Sequence, residues 1–352
     1  MQHVIESFSE RIRAAAGTGS GLCIRGSGSK DFYAQALYGD PFDVTGYSGI
    51  VEYEPKELVI TARAGTLLKE VETALSKCGQ MLGFEPPSFG EGATLGGCIA
   101  SGLSGPRRVY SGAVRDFVLG VRVLDGRGAD LRFGGQVMKN VAGYDVSRLM
   151  TGSMGTLGVI LEASLKVLPM PVAETTTRFE MDSGTAIRRM NEWAGKPLPV
   201  SATCHEAKTL SVRLSGSAGA VHAALDGLGG DILALDESYW SGIREQTAAF
   251  FTQPGALWRL SVPSTALPLN LPGRQLIEWG GALRWLKTDA AATPIRAAVE
   301  QVGGQATLFR GNGEPGDRFH PLSAALEALH RRIKNALDPQ GIFNRGRIYP
   351  GL

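Results

Sequence analysis

The chain has 352 residues, and its 36 basic and 34 acidic side chains leave a formal net charge of only +2. This balance gives no reason to expect a nucleic acid partner or binding to an anionic membrane surface. The four cysteines, Cys23, Cys78, Cys98 and Cys204, lack the paired spacing of zinc or iron–sulfur ligands, so we expect no metal site and reduced thiols.

The length suggests two domains rather than one. The first residues, Met-Gln-His-Val-Ile-Glu, lack the basic and apolar regions of a secretion signal. No run of about 18 apolar residues occurs, so we expect no direct membrane insertion. The predicted location is the cytoplasm, with any contact to the inner membrane made through a partner.

The first predicted elements lead into a turn rich in glycine and serine. A helix over residues 7–16 and a short buried strand over 22–24 precede Arg25-Gly26-Ser27-Gly28-Ser29-Lys30. Amides in such a turn, with cations at its rim, suit a pyrophosphate. A surface turn with two solvated cations is the alternative. The turn matches neither the Rossmann fingerprint nor a P-loop.

A second small-residue segment covers residues 93–104, ATLGGCIASGLS. Strands are predicted before it at 50–53 and 58–62, followed by a helix over 67–77 that Gly65 and Thr66 cap. A backbone with so few side chains can approach a ligand closely, and its amides, with the hydroxyls of Thr94 and Ser101, can bind phosphate oxygens. A tightly packed turn and helix start explains the same composition.

A third small-residue loop follows a predicted hairpin. The hairpin joins strands 117–124 and 130–133 through the turn 125–128. A short helix then ends at Met150, and the loop over 151–158 enters a strand over 159–168. A bulged strand entry would explain this loop alone. Three such loops are hard to explain as unrelated turns, so we expect them to form one dinucleotide site.

Beyond Pro171 the glycine loops become rare and strands alternate with helices, which predicts an α+β sheet domain. Breaks are predicted at 263–272 and 312–317. The last helix, over 322–337, carries an apolar stripe of Leu322, Ala325, Leu329, Ile333 and Leu337. The predicted strands of this part are 175–179, 200–204, 209–214, 257–262, 284–286 and 305–309. Its other predicted helices are 185–194, 218–228, 237–250 and 295–302.

These segments together resemble a known family. Residues 25–30, 93–102, 116–128 and 152–160 resemble the FAD-binding domain of the vanillyl-alcohol oxidase/p-cresol methylhydroxylase (PCMH) superfamily. The tail 337–344, LDPQGIFN, is similar to the closing segment of its lactate and glycolate dehydrogenase branch. Within that branch, residues 25–30 and two further, more specific stretches resemble the family of E subunits of bacterial glycolate oxidase (glycolate dehydrogenase) complexes. The two further stretches are Lys139-Asn140-Val141-Ala142-Gly143-Tyr144-Asp145 and Glu278-Trp279-Gly280-Gly281-Ala282, the second followed by Arg284-Trp285.

The resemblance implies an α+β fold with a PCMH-type FAD-binding domain of two subdomains and an α+β cap domain inserted before a C-terminal return segment. The expected domains are 1–171 for FAD binding, 172–317 for the cap and 318–352 for the returning helix and tail. It also implies that FAD lies extended between them. The expected FAD contacts are Arg25, Gly26, Ser27, Gly28, Ser29, Lys30, Thr94, Leu95, Gly96, Gly97, Ser101, Gly102, Gly152, Gly155, Thr156, Gly158 and Ile160.

The expected attachment of FAD is non-covalent. Some relatives bind FAD through a histidine beside the first glycine turn, where this chain has Ser29 and Lys30. The Cys98 sulfur offers another point for covalent attachment of a flavin, but we favour a role for this side chain in packing. The resembled complexes also contain a catalytic flavoprotein sister subunit. That subunit resembles relatives with a metal-associated segment that contains paired histidines. The comparable residues 309–314 here have none, and the nearest histidine is His320.

Oxidation of a 2-hydroxy acid requires a cation for the carboxylate, a base for the hydroxyl proton and the flavin as hydride acceptor. His205 and His320 are weak candidates for the base, and Arg284 and Arg310 for the carboxylate clamp. Structural roles for all four are the alternative.

The resemblance implies an FAD subunit of a complex that oxidises glycolate to glyoxylate, with glycolate or a similar 2-hydroxy acid as its small-molecule partner. Its expected partners are a catalytic flavoprotein sister subunit and an iron–sulfur subunit that receives the electrons. A self-sufficient, D-lactate-like dehydrogenase and a scaffold with a structural flavin are the alternatives.

Overall fold

The structure is a computed structural model that describes residues 1–135, 144–233, 238–313 and 316–352. The strands are β1 Leu22–Arg25, β2 Asp40–Asp43, β3 Ile50–Glu54, β4 Val59–Arg63, β5 Gln80–Met81, β6 Val118–Leu124, β7 Asp130–Gly134, β8 Val159–Lys166, β9 Leu168–Pro169, β10 Ala173–Glu180, β11 Val200–Glu206, β12 Thr209–Gly216, β13 Asp231–Leu233, β14 Ala256–Ser261, β15 Arg274–Glu278, β16 Leu283–Thr288 and β17 Gln305–Arg310.

The helices are α1 Gln2–Thr18, α2 Leu68–Ser76, α3 Leu95–Ser101, α4 Arg108–Ser111, α5 Val114–Phe117, α6 Val146–Met150, α7 Ser183–Ala194, α8 Ala218–Leu228, α9 Ser238–Arg244, α10 Ala249–Thr252, α11 Ala292–Glu300 and α12 Ala324–Leu337. Short 3-10 turns occupy Asp31–Tyr33 and Trp279–Gly281. None of the helices in these described ranges has both the length and the apolar character needed to cross a bilayer.

The first lobe comprises the elements from α1 to β9 together with α12 and the tail. Its larger part is a five-stranded antiparallel sheet in the order β3-β4-β8-β6-β7. Leu68, Val71 and Leu75 of α2 and Ile99 of α3 pack with this sheet in one buried cluster. The spacing of apolar residues by three and four positions along α2 thus places one helix face on the sheet.

The smaller part of the first lobe joins both ends of the chain. β1 pairs in parallel with β2, and Leu22 of β1 also pairs in parallel with Phe343 of the tail. Phe8 and Ile12 of α1 share a buried cluster with Phe343. The C-terminal segment is therefore a structural component of this lobe.

The second lobe comprises the elements from β10 to β17. Its antiparallel sheet has the strand order β13-β10-β12-β11-β15-β16-β14-β17. Helix α7 packs against this sheet through Ile187 and Met190. The cluster that contains Leu276 and Trp285 also includes Tyr33 and Leu103 of the first lobe. The contact between the lobes is therefore apolar at its centre.

Most predicted elements occur, with several differences in local structure. Helix α1 begins at Gln2 instead of residue 7. Thr66 does not cap α2, because its hydroxyl accepts a hydrogen bond from the Gly49 amide. The predicted helix 237–250 is interrupted after Arg244, because Gln246 adopts a φ of 57° and the Thr247 and Ala248 amides both bond to the Gly242 carbonyl. The elements that the sequence does not predict are strands β2, β5, β13 and β15 and the short helices α4 and α5.

The predicted apolar stripe of the last helix is only partly covered, since Leu322, Ile333 and Leu337 are half-buried and Ala325 and Leu329 are exposed. The buried residue of α12 is Lys334. Its ammonium donates to the Asp338 carboxylate at 2.7 Å, the Thr156 carbonyl at 2.6 Å and the Phe343 carbonyl at 2.8 Å. Lys334 thus holds the third small-residue loop and the tail to α12.

Replacing Lys334 by methionine should destabilise the protein strongly, because it leaves the Asp338 carboxylate buried without its cation. The loss expected for one member of a buried pair is about 3–5 kcal/mol. Arg331→Met on the same helix is the matched control, since it removes an exposed pair with Glu327 at the same i,i+4 spacing. That change should cost less than about 1 kcal/mol. Denaturant unfolding monitored by circular dichroism measures both, and equal small shifts would contradict the assigned role.

Candidate functional site

A cavity of about 750 Å³ lies in the first lobe where the three small-residue segments meet. Its wall is formed by four segments: helix α3, the turn at the end of β1, the loop before β8, and the tail. The lining residues are Ile24, Arg25, Gly26, Ser27, Gly28, Ser29, Lys30, Asp31, Leu37, Val44, Ala64, Thr94, Gly96, Gly97, Ala100, Ser101, Met154, Gly155, Gly158, Ile160, Asn344 and Arg347.

The turn after β1 offers main-chain donors to this cavity. Within the described ranges, no protein acceptor forms a hydrogen bond with the amides of Gly26, Ser27 or Gly28. Gly26 is required here because a Cβ on it would lie 2.7 Å from the Thr94 hydroxyl oxygen. Glycine therefore lets this turn lie directly against α3, with its amides available to a ligand.

The start of α3 is different from what its sequence suggested. The Leu95 amide donates to the Thr66 carbonyl and the Gly96 amide to the Ala64 carbonyl, at 2.9 and 2.8 Å. The Gly97 amide donates to the Thr94 hydroxyl at 3.2 Å. Because these amides already have protein partners, the expectation that they all bind phosphate is corrected. This segment contributes a wall of small residues.

The side chain of Asn344 joins three segments around the cavity. Its Oδ1 accepts from the Ile24 amide at 2.7 Å, and its Nδ2 donates to the Met154 carbonyl at 2.7 Å and the Ile24 carbonyl at 3.3 Å. A Cβ on Gly155, which has a φ of 73°, would lie 2.6 Å from this Nδ2. Glycine at 155 thus leaves room for the Asn344 amide.

Cations exceed anions in the cavity wall. Arg25 pairs with Asp31 at 2.6 Å, while Lys30 and Arg347 also line the wall. The Lys30 ammonium donates to the Ser88 carbonyl at 3.1 Å, and burial lowers the pKa of this lysine. Arg347 donates to the main chain at Gln35 and Asp31. Three cations facing one carboxylate favour an anionic ligand.

Thirteen of the predicted FAD contacts line the cavity, namely Arg25, Gly26, Ser27, Gly28, Ser29, Lys30, Thr94, Gly96, Gly97, Ser101, Gly155, Gly158 and Ile160. The other four do not. Leu95 is in the buried cluster of the five-stranded sheet. Gly102 packs closely against Gly152, since a Cβ on Gly102 would lie 3.0 Å from the Gly152 Cα. Thr156 lies on a separate groove beside α12, where its carbonyl accepts from Lys334. These four support the loops instead of facing the cavity.

Sequence reasoning missed several lining residues, including Met154, Asn344 and Arg347. The tail had been recognised as a family segment, and that was the available signal for Asn344. The side-chain contacts of Asn344 with Ile24 span 320 residues, so no local pattern shows them.

The four weak catalytic candidates have structural contacts and do not line the cavity. His205 is buried, with Nε2 3.0 Å from the Met181 carbonyl. His320 pairs with Glu300 at 3.2 Å. Arg284 is fully buried and donates to the carbonyls of Gly281, Leu267 and Ala266. Arg310 stacks 3.5 Å from the Phe32 ring centroid and donates to Gln246 at 3.0 Å.

Two further expectations concern thiols and metals. Cys98 is buried, and burial raises its pKa to about 12, so its sulfur stays protonated and unreactive near neutral pH. In the ranges that the structure covers, no group of three or more His, Cys, Asp and Glu side chains is placed to hold a metal ion. Residues 139–143 of the predicted family stretch and Glu314 lie outside the described residues.

Comparison with known proteins identifies the class of the protein. Residues 3–134 match the family model of the FAD binding domain, so FAD is the cofactor of this chain. The solved structure of alkyldihydroxyacetonephosphate synthase superposes with a TM-score of 0.67 at 17% sequence identity, covering 96% of this chain and 75% of that one. The predicted α+β fold with a PCMH-type FAD-binding domain is thereby confirmed.

The particular family follows from sequence comparison over the whole chain. Glycolate oxidase subunit GlcE of Escherichia coli is 50% identical over 99% of this chain and 98% of its own length. The chain therefore belongs to the GlcE family. Glycolate oxidase subunit GlcD of Bacillus subtilis is 35% identical over 36% of this chain and 27% of its own length. A D-lactate dehydrogenase of Anaerostipes hadrus is 36% identical over 36% of this chain and 26% of its own length.

Thiol labelling of the native protein should distinguish the cysteines. Cys78 is exposed and should react at once with a thiol reagent at pH 8, whereas the buried Cys98 and Cys204 should react only after unfolding. Burial raises the pKa of Cys98 to about 12 and that of Cys204 well above its usual range. Mass spectrometry of labelled peptides measures each site. Labelling of Cys98 as fast as Cys78 would contradict its enclosed position.

Proposed function

We propose that this chain is the FAD-binding subunit of a glycolate oxidase, and that the diphosphate of FAD lies against residues 25–30. The observation that carries the proposal is a row of three amides, those of Gly26, Ser27 and Gly28. They have no protein acceptor in the part of the chain that the structure describes, and their residues line a cavity with excess positive charge. Oriented amides and guanidinium groups stabilise diphosphate oxygens without a metal ion.

The small-residue wall of α3 and Gly155 leaves room for an extended nucleotide. Thr94, Ala100 and Ser101 line this side of the cavity with side chains of three heavy atoms or fewer. The attachment we propose is non-covalent, because Cys98 is buried with a raised pKa and residues 29 and 30 are serine and lysine. The domain limits 1–171, 172–317 and 318–352 are part of the same proposal.

FAD, when bound, supplies an acceptor for the two electrons removed from a 2-hydroxy acid. We propose that glycolate is the oxidised acid and glyoxylate the product, following the name of the GlcE relative. The proposed partners are a catalytic flavoprotein sister subunit and an iron–sulfur subunit that takes the electrons. A cytoplasmic location, with any membrane contact made through these partners, belongs to the same proposal.

The functional test uses the purified chain with its bound flavin under anaerobic conditions. Addition of glycolate alone should leave the flavin absorbance unchanged, and addition of the partner subunits with glycolate should reduce it. Bleaching by glycolate alone would instead support the alternative of a self-sufficient, D-lactate-like dehydrogenase. Flavin that stays oxidised during turnover of the complex would leave only the scaffold hypothesis.

The Gly26→Ala substitution should weaken FAD binding by at least about tenfold, because the added methyl group separates the turn from Thr94 and displaces its amides. Gly17→Ala is the matched control. A Cβ at Gly17 in α1 meets no atom within 4 Å, and alanine favours the helix. Equilibrium dialysis of the flavin-free proteins measures both affinities. Unchanged FAD affinity in Gly26→Ala would place the diphosphate elsewhere.

A further inference from the structure

Lys30 is a buried cation in the wall of the cavity lined by residues 25–30, and no carboxylate lies beside it. The residue is only 9% exposed, and its ammonium donates to the Ser88 carbonyl at 3.1 Å and to the Ser29 hydroxyl at 3.3 Å. Within the described ranges, no acidic side chain lies within 4 Å of this nitrogen. An ammonium has three N–H donors, so one of them has no acceptor among these residues.

The other two cations of this wall already have partners. Arg25 pairs with Asp31 at 2.6 Å, in a position that is half-exposed to solvent. Arg347 lies 3.9 Å from the same carboxylate and donates to the carbonyls of Gln35 and Asp31. Lys30 therefore carries the charge in this wall that a ligand has yet to neutralise, and a buried charge without a partner is costly.

The groups that act on Lys30 from a distance do not replace a counter-ion. Burial lowers the pKa of Lys30, and Cys98 and Glu245 act in the opposite direction with smaller effects. The Cys98 thiol has a pKa raised to about 12 and is neutral near pH 7. The Glu245 carboxylate is paired with Arg244 at 2.9 Å. Neither group is therefore a dedicated partner for the ammonium.

The ammonium lies on the side of the cavity that adjoins the contact between the lobes. The amides of Ser88 and Phe89 donate to Glu245 of the second lobe at 3.0 and 2.9 Å. The ammonium lies 5.8 Å from the Phe89 ring centroid, and this ring lies 6.2 Å from the ring of Phe309 in β17. An aromatic cluster shared by both lobes thus adjoins the Lys30 side chain.

The main chain of Lys30 belongs to the turn proposed for the diphosphate, but its side chain leaves that turn. The turn lies against α3 at Thr94, whereas the ammonium reaches the loop 84–91 at Ser88. An extended ligand that meets the amides of residues 26–28 would therefore meet the ammonium with a different part of its structure.

The two parts of FAD differ in how their charge depends on reduction. When the neutral oxidised ring takes a hydride from a 2-hydroxy acid, it gains one negative charge, and the hydroxyl proton of the acid passes to solvent. The diphosphate has the same charge before and after this step. A poorly solvated cation beside the ring therefore stabilises the reduced form selectively, which raises the reduction potential.

We propose that the Lys30 ammonium is the counter-charge of the reduced flavin ring, and that it raises the reduction potential of the FAD bound to this chain. The aromatic cluster beside Lys30 supports this position, because aromatic side chains pack well against a flat ring. The inference rests on the proposed function for the place of FAD in this cavity. It adds control of the potential, which makes this flavin a better acceptor of electrons.

The test compares the reduction potentials of the flavin-loaded wild type and of Lys30→Met at pH 7. Each sample is reduced slowly with dithionite under anaerobic conditions in the presence of a reference dye. The potential of Lys30→Met should be lower by about 30 mV or more, which equals a tenfold loss of affinity for reduced relative to oxidised FAD. Lys30→Arg keeps the charge and should restore part of the potential. Lys69→Met, at an exposed position of α2, is the matched control and should leave it unchanged.

Equilibrium dialysis with oxidised FAD distinguishes this role from diphosphate binding. Lys30→Met should change the affinity for oxidised FAD by less than about threefold, because the oxidised ring carries no charge for the ammonium to neutralise. A large loss of this affinity with an unchanged potential would assign Lys30 to the diphosphate. That result would overturn the inference and would support the proposed function.

Three other results would also overturn the inference. They are an unchanged potential in Lys30→Met, a fall of equal size in Lys69→Met, and a Lys30→Met protein that holds no FAD even in excess. In the last case the oxidised form itself would depend on Lys30. The FAD content of the wild type, read from its absorbance, reports on the proposed function independently. A wild type that binds FAD, with a potential that does not respond to Lys30, would contradict this inference alone.

Discussion

The cavity lined by residues 25–30 depends on one return of the chain. The Leu22 amide donates to the Ile342 carbonyl at 2.7 Å, and the Asn344 amide donates back to the Leu22 carbonyl at 3.0 Å. The Asn344 side chain then bonds to Ile24 and to Met154, so strand β1 and the third small-residue loop are held at fixed positions by a residue of the tail. The buried Lys334–Asp338 pair secures that tail in turn. Without this set of contacts, the glycine turn after β1 and the loop before β8 would have no common anchor.

The three glycine-rich segments have different physical roles, although their compositions are alike. Among the described residues, the amides of the turn at Gly26 have no protein acceptor, whereas the first amides of α3 donate to Thr66, Ala64 and Thr94 and this helix contributes close packing. Gly96 shows the second role, since a Cβ there would lie 2.7 Å from the Cβ of Ala64. Glycine content therefore marks close approach in both cases, but only the hydrogen-bond partners reveal which backbone faces the ligand.

Much of the fold could be predicted because strand and helix patterns are local, as the hairpin over β6 and β7 and the helix over Ala218–Leu228 illustrate. The contacts of particular side chains could not be predicted from the sequence. Arg284 looks like a substrate clamp in sequence, yet its buried guanidinium binds three main-chain carbonyls. The apolar stripe of the last helix is only partly covered, and the buried residue of α12 is Lys334, which donates to the carbonyls of Thr156 and Phe343.

The strand pairing between Leu22 and Phe343 also bears on the order of events during synthesis. Asn344 is made 320 residues after Ile24, so a nascent chain has the glycine turn long before Asn344 can reach it. We expect the second lobe to fold while β1 still lacks this neighbour, since domains generally fold as units in the order of their synthesis. Binding of the nucleotide then waits for synthesis of the tail, and a chain that stops before Asn344 would carry a well-formed second lobe and no cofactor.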